Sequence, residues 1–149
     1  TNPYRLVVTG RTKHFISAFG EHVIGEEVEQ SLLKAAEEEN IRITEFTVAP
    51  FVSEGEGKSY HEWFVEFENR PQNLAAFAQK IDNNLRQANV YYDDLISGNI
   101  LKPLKLTTIR KNGFIDYMKS IGKLGGQNKV PRLSNDRRIA DELARWSDN

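Results

Sequence analysis

Cysteine is absent from this chain of 149 residues. That excludes disulfides, thiolate metal sites and cysteine nucleophiles, and it fits a reducing, cytoplasmic setting. Histidine is scarce: His14, His22 and His61 are the only three, and no pair has metal-ligand spacing on one element. No metal site is therefore expected within the chain. No apolar run approaches the roughly 20 residues needed to cross a bilayer, and no signal-peptide pattern opens the sequence, so no membrane partner is expected. Ser17 and Ser59 lack the elbow motif of a serine nucleophile. Phe15, Tyr60 and Phe64 have basic neighbours but lack the basic-glycine-aromatic run of an RNA-reading sheet, so no nucleic-acid partner is expected either. There is no internal repeat and no low-complexity tract.

What is present fits one globular domain. Hydrophobic residues make up 39% and aromatic residues 10%, enough to build a core at this length. The chain opens on Thr1, not methionine, which leads us to expect a processed chain or a piece of a longer one. The net charge of −1 hides an asymmetry. Residues 20–69 hold thirteen glutamates against three Lys or Arg, a net of −10. Residues 102–138 hold ten Lys or Arg against Asp116 and Asp136, a net of +8. The basic third can face an anion such as a nucleotide phosphate, pair internally with the acidic half, or simply be solvated.

Periodicity gives the elements. Residues 4–9 read as a short strand and 13–17 as its return, an N-terminal hairpin turned at Gly10. A helix over 26–39 carries Val28, Leu32, Ala35 and Ala36 on one stripe. It ends on Glu37-Glu38-Glu39, where the helix dipole disfavours anions. A strand over 41–50 changes phase between Ile43 and Phe46, which predicts a bulge near Thr44 and Glu45. After a turn, a strand over 60–68 points Trp63, Val65 and Phe67 one way and Glu62, Phe64 and Glu66 the other. His61 shares the Trp63 face and reads as a partly buried, satisfied histidine. Pro71 opens a helix whose stripe is Leu74, Phe77, Ala78, Ile81, Leu85 and Ala88. A short helical turn over 91–96, a strand over 104–111 and a helix over 113–121 come next. That last helix is expected to bury Phe114, Ile115, Met118 and Ile121. A final helix, capped by Ser134 or Asn135, carries Ile139, Ala140, Leu143 and Trp146. The result is an α+β fold: the hairpin, then a small antiparallel three-stranded sheet covered by helices on one face.

Two glycine-containing stretches draw attention. Glu54-Gly55-Glu56-Gly57-Lys58-Ser59 imitates a phosphate loop, but its first glycine is misplaced and it opens no helix, so it reads as a hairpin turn. Gly125-Gly126-Gln127-Asn128-Lys129-Val130-Pro131-Arg132 is different. Its glycines open the backbone, Pro131 fixes the path beyond, and Lys129 sits between as a compact cation on a long stem. Two readings of these residues stand: a solvated basic linker between helices, or a segment that carries one positive charge into an active site.

The stretch from Gly10-Arg11-Thr12-Lys13 through Gly25-Glu26-Glu27-Val28-Glu29 resembles the Gly-Arg hairpin and acidic helix that come after the hinge in adenylate-forming enzymes. Gly126-Gln127-Asn128-Lys129-Val130-Pro131-Arg132 resembles the Gly-Gln-x-Lys-x-Pro-Arg ending of the Gretchen Hagen 3 family, the auxin-responsive acyl-acid amido synthetases. Residues 60–67 and Asn89-Val90-Tyr91-Tyr92 resemble the bacterial branch of that family. Of the family's hinge motif only Tyr4-Arg5 is matched, so no hinge residue is assigned. The resemblance implies that residues 1–149 form one C-terminal cap domain of a larger ligase. Its parts are a hairpin (4–17), an α+β core (25–122), and the lysine loop with the last helix (123–147). It implies ATP and Mg²⁺ as cofactors, held mainly by an N-terminal domain that this chain lacks. That domain is the expected partner, and a small carboxylic acid and an amine are the expected substrates. It implies Lys129 as the catalytic residue and Lys13, Arg11 and Arg132 as cofactor-binding residues, with Arg11 also at the domain interface and Arg132 also ordering the lysine loop. A thiol acceptor in place of the amine, or a stand-alone ferredoxin-like binding module, are the other readings of the chain.

Overall fold

The computed structural model describes residues 15–16, 19–54, 58–122 and 130–148. The strand expected at 4–9 lies outside them. Two short strands, β1 (Phe15–Ile16) and β2 (Val23–Ile24), pair antiparallel and lead into helix α1 (Gly25–Glu39). Strands β3 (Ile43–Phe51) and β4 (Tyr60–Phe67) pair antiparallel, and the chain then enters helices α2 (Leu74–Ala88) and α3 (Val90–Ser97). Strand β5 (Lys105–Thr108), helix α4 (Gly113–Ser120) and helix α5 (Arg138–Leu143), with a closing 3₁₀ turn at Ala144–Trp146, complete it. The sheet order is β3-β4-β5.

The fold is α+β, as expected, but its sheet is mixed. β5 runs parallel to β4, with Glu62 opposite Lys105 and Val65 opposite Thr108. Two strands joined by a crossover through α2 and α3 return in the same direction, whereas a hairpin turn would have reversed them. The helices also cover both faces instead of one. On the first face Val48, Trp63, Val65 and Phe67 pack against α1, α2 and α3. On the second, Ala49 and Phe64 pack against Phe114, Tyr117 and Met118 of α4 and Ala140 and Leu143 of α5. β4 is therefore buried along its length, and its alternating residues feed two cores.

Local chemistry explains most boundaries. The register between β3 and β4 shifts between Ile43 and Glu45, the bulge that the phase change predicts. Helix α2 starts after Pro71, not at it: Asn73 caps it, with Oδ1 accepting from Ala76 N at 3.0 Å. Asn40 in a left-handed conformation ends α1, and the glutamates there are met by Lys80 of α2, 3.1 Å from Glu39 and 3.5 Å from Glu38. In α4 the inward residues are Phe114, Tyr117 and Met118, while Ile115 and Ile121 are exposed, because the helix turns a different stripe to Ile109 and Leu143 than spacing suggested. Neither Ser134 nor Asn135 caps α5, which begins later, at Arg138.

Several buried polar groups are knitted into this frame, while Ser31 Oγ, His61 Nδ1, Trp63 Nε1 and Asp82 Oδ2 are buried without a hydrogen-bond partner among the described residues. His61 and Glu21 are both fully buried, with Nε2 and Oε2 2.6 Å apart. Asn89 accepts from Tyr92 N to cap α3 and donates to Glu21 O and Glu27 Oε1. Tyr92 donates to Asp82 Oδ1 at 2.5 Å, and Leu104 N donates to the same atom. Glu66 reaches from β4 to the start of α4, accepting from Asn112 N at 2.8 Å and Phe114 N at 3.2 Å. That pairs two amides that the first turn leaves open, at the end where an anion is favoured.

This packing makes two positions informative. A Cβ at Gly113 would collide with Ile109 Cγ2 and press within 3.1 Å of Trp146 Cβ. The overpacking outweighs the gain in helix propensity, so Gly113→Ala is expected to cost about 1–3 kcal/mol, read as a lowered urea midpoint. Burial, and then the Asp82 carboxylate, hold the Tyr92 hydroxyl well above the ordinary tyrosine range. Its folded pKa is raised, so the stability it contributes is intact below about pH 10 and is lost as pH climbs toward the folded value. Urea midpoints measured from pH 8 to 11 are expected to fall more steeply in the native protein than in Tyr92→Phe.

Candidate functional site

Of the residues singled out in the sequence, Lys129, Lys13 and Arg11 lie outside the described residues, as do Lys123 and the glycines Gly125 and Gly126. Arg132 lies within them, and so does the segment that begins at Val130, next in sequence to Lys129. That segment is the candidate site.

Residues 130–134 run beside the outer edge of β3. Val48 N donates to Arg132 O at 3.0 Å, and Ser134 N donates to Val48 O at 2.9 Å. Leu133 thereby forms an isolated parallel bridge to Val48. The Thr47 hydroxyl, nearly fully buried, donates to Pro131 O at 2.7 Å. Val130 is buried in the second-face core beside α4 and α5, and Leu133 is buried in the first-face core. The segment is thus hydrogen-bonded to two consecutive β3 residues and inserts one side chain into each core.

Charged pairs hold Arg132 and the start of α5 in place. Arg132 Nη1 is 2.6 Å from Glu45 Oε1 and its Nε is 3.9 Å from Glu29, while the guanidinium lies 4.6 Å from the centroid of the Phe46 ring. Arg137 donates to Glu62 Oε1 at 2.8 Å and to Asp141 at 3.2 Å. It also lies 5.5 Å from the Phe51 ring centroid and 5.9 Å from that of Phe64. The other Glu62 oxygen accepts from the Thr107 hydroxyl at 2.5 Å. Both arginines come from the basic third and both main partners from the acidic half. Part of the sequence's charge asymmetry is therefore internal pairing.

Of the other candidates, His61 and Ser59 are structural, and His14 and Ser17 lie outside the described residues. His61 is buried, more completely than its alternation suggested, and stacks on Tyr92 at 5.2 Å between ring centroids. Ser59 Oγ accepts from Ser53 N, closing the turn before β4. Lys58-Ser59 leads directly into that strand and no helix, so a phosphate-binding helix end is missing there. Among the described residues no group of three or more His, Asp or Glu could hold a metal, and no helix is long and apolar enough to cross a membrane.

Sequence reading missed Thr47, Glu45, Glu62 and Arg137. Thr47 and Glu45 meet their partners across 84 and 87 residues of chain, and Glu62 meets Arg137 across 75, so no local pattern marks them. Glu62 is buried, and Arg137 is its ion-pair partner at 2.8 Å. Arg137→Ala is expected to destabilise the protein by about 2–3 kcal/mol. That is below the usual cost of orphaning a buried ion, because Thr107 remains and Arg137 keeps some water. A denaturant titration beside Glu62→Gln/Arg137→Ala, expected to recover part of the loss, checks this.

The sequence profile of the GH3 family C-terminal domain matches residues 26–138. Among solved structures, the AtGH3.15 acyl acid amido synthetase in complex with 2,4-DB aligns with a TM-score of 0.71 at 13% identity, covering 92% of this chain and 26% of its own. A GH3.15 acyl acid amido synthetase structure aligns with a TM-score of 0.73 at 14% identity, covering 93% of this chain and 27% of its own. No curated protein matches the sequence. The chain spans about a quarter of the length of these solved relatives. The likeness in structure is one of fold, and the profile spans most of the sequence: this chain belongs to the GH3 family, as its C-terminal domain.

Proposed function

We propose that this domain is the mobile cap of an ATP- and Mg²⁺-dependent acyl-acid amido synthetase in the cytoplasm. In this reading the parent enzyme joins a carboxylic acid to AMP, releases pyrophosphate, and passes the acyl group to an amine. The acid, the amine and most of the nucleotide are held outside this chain. Lys129 is the cation that the cap contributes to the first step. Attack of a carboxylate on the α-phosphate brings two anions together, and a positioned ammonium offsets the repulsion as charge develops. The observation that carries the proposal is the tethering of the residues directly after Lys129 to β3, within a family whose solved members include acyl acid amido synthetases. Lys13 and Arg11 serve the second step or the domain interface, and rotation of the cap separates the two steps, as lid motions do in many enzymes. Arg132, paired with Glu45, orders the lysine-bearing segment.

ATP–pyrophosphate exchange in the full-length protein tests this, with 2,4-DB first among a panel of carboxylic acids. Exchange that requires an acid, and that falls on the order of 10²–10³ in Lys129→Ala, is the expected result. An unchanged rate in that variant removes Lys129 from the mechanism, and no acid-dependent exchange across the panel removes the adenylating activity.

A further inference from the structure

We infer that Thr47 is a positioning residue for the adenylation step, acting through its hydroxyl bond to the Pro131 carbonyl. The inference rests on the role proposed above for Lys129.

Thr47 faces the second core, where Val130 is also buried, and its partner across the sheet is Phe64. Its hydroxyl is nearly sealed from water and donates to Pro131 O at 2.7 Å. Pro131 lies two residues beyond Lys129. Its ring fixes φ and restricts Val130 to extended conformations, so a constraint on the Pro131 carbonyl is carried back along a stiff stretch of chain. The neighbouring backbone bonds, Val48 N to Arg132 O and Ser134 N to Val48 O, set the register of the segment. They lie further from Lys129. Of the bonds from β3 to this segment, the Thr47 bond is the one nearest the lysine in sequence, and it is made by a side chain that substitution can alter while the strand is kept.

The chemistry explains why such a bond matters. A lysine ammonium sits at the end of a four-carbon stem and is fixed by nothing of its own. Its placement depends on where its Cα is held. A displacement of about 1 Å at a reacting group can cost on the order of 10²-fold in rate. A hydroxyl buried at the root of the segment limits that displacement at little entropic cost, because a β-branched side chain has few rotamers to lose. A valine of the same shape keeps the packing and loses the bond, and it leaves the Pro131 carbonyl without that donor. A serine keeps the bond and loses one methyl.

The test uses ATP–pyrophosphate exchange in the full-length protein with Thr47→Val, Thr47→Ser and Glu45→Gln, each alone and combined with Lys129→Ala. Thr47→Val is expected to lower the exchange kcat about tenfold or more with little change in the KM for ATP, and Thr47→Ser to stay near the native rate. In the Lys129→Ala background Thr47→Val is expected to have no further effect, because the group it positions is gone. An equal loss in Thr47→Ser, or a full multiplicative loss in the Lys129→Ala background, would show that Thr47 only supports the fold and would overturn the inference. So would a native rate in Thr47→Val. If Thr47→Val does not fold, Glu45→Gln decides: it weakens the Arg132 hold on the same segment and is expected to cut kcat about threefold, again only when Lys129 is present. A native rate in Lys129→Ala alone has a different meaning, since it overturns the role of the lysine and this inference with it.

Discussion

The outer edge of β3 accepts one neighbour in one register, and the placement of the candidate site depends on that. Residues 46, 48 and 50 point their backbone groups away from β4. Phe46 N is taken by the carboxylate of Glu45 at 3.0 Å. Pro50 has no N–H to offer. Val48 remains, and its N–H and C=O are both used by residues 132 and 134. An exposed strand edge invites unwanted pairing, and here it is closed by a carboxylate, a proline and a single purposeful contact. The same carboxylate that covers Phe46 also binds Arg132. Closing the edge and tying down the segment are therefore one arrangement.

The two faces of the sheet do different work. The first face is apolar at its centre, with α1, α2 and α3 packed on Trp63, Val65 and Phe67. Among its buried polar groups, Glu21, Asn89 and Asp82 pair open amides, a carbonyl, His61 and the Tyr92 hydroxyl. The second face mixes apolar contacts with charges. Glu62 and Glu66 project from β4 among Phe64, Phe114 and Tyr117, and each is satisfied by groups from the C-terminal third. A buried carboxylate is costly unless it is paired, so each of these specifies what must lie across from it. Glu66 fixes where α4 begins, and Glu62 fixes where α5 begins. The segment that comes after Lys129 is thereby framed on the sheet and at its far end.

Much of this was legible in the sequence. The stripes of α1 and α2, the bulge at Ile43 and Glu45, and the alternation of β4 are local periodicities, and local periodicity is what residue spacing encodes. The direction of β5 was not legible, because alternation reads the same up or down a strand. The second layer of helices was missed for a related reason. Glu62 and Glu66 look like solvent-facing positions in β4, and only their distant partners reveal that they are covered. The glycine-lysine-proline stretch stood out by its resemblance to a family, but its anchors could not, since Thr47 and Glu45 reach it across 84 and 87 residues. Ile115 and Ile121 were expected inside on hydrophobicity alone, and Tyr117 took the inward stripe instead.

The division between arginine and lysine in the basic third has a physical basis. Arg132 and Arg137 make fixed contacts, each with a carboxylate and each over an aromatic ring. A planar, delocalised cation suits both partners at once and is the better choice where a pair is partly buried. Their charge is spent inside the domain and adds little to any outward field. A cation that must reach a nucleotide on another body needs the opposite properties: a long, flexible stem and a small head that binds as a point charge. Lysine has these. The excess of positive charge in residues 102–138 is therefore better understood as two kinds of charge than as one basic patch. Arginines hold the segment in place, and in the proposed mechanism the lysine that precedes it in sequence acts at a distance.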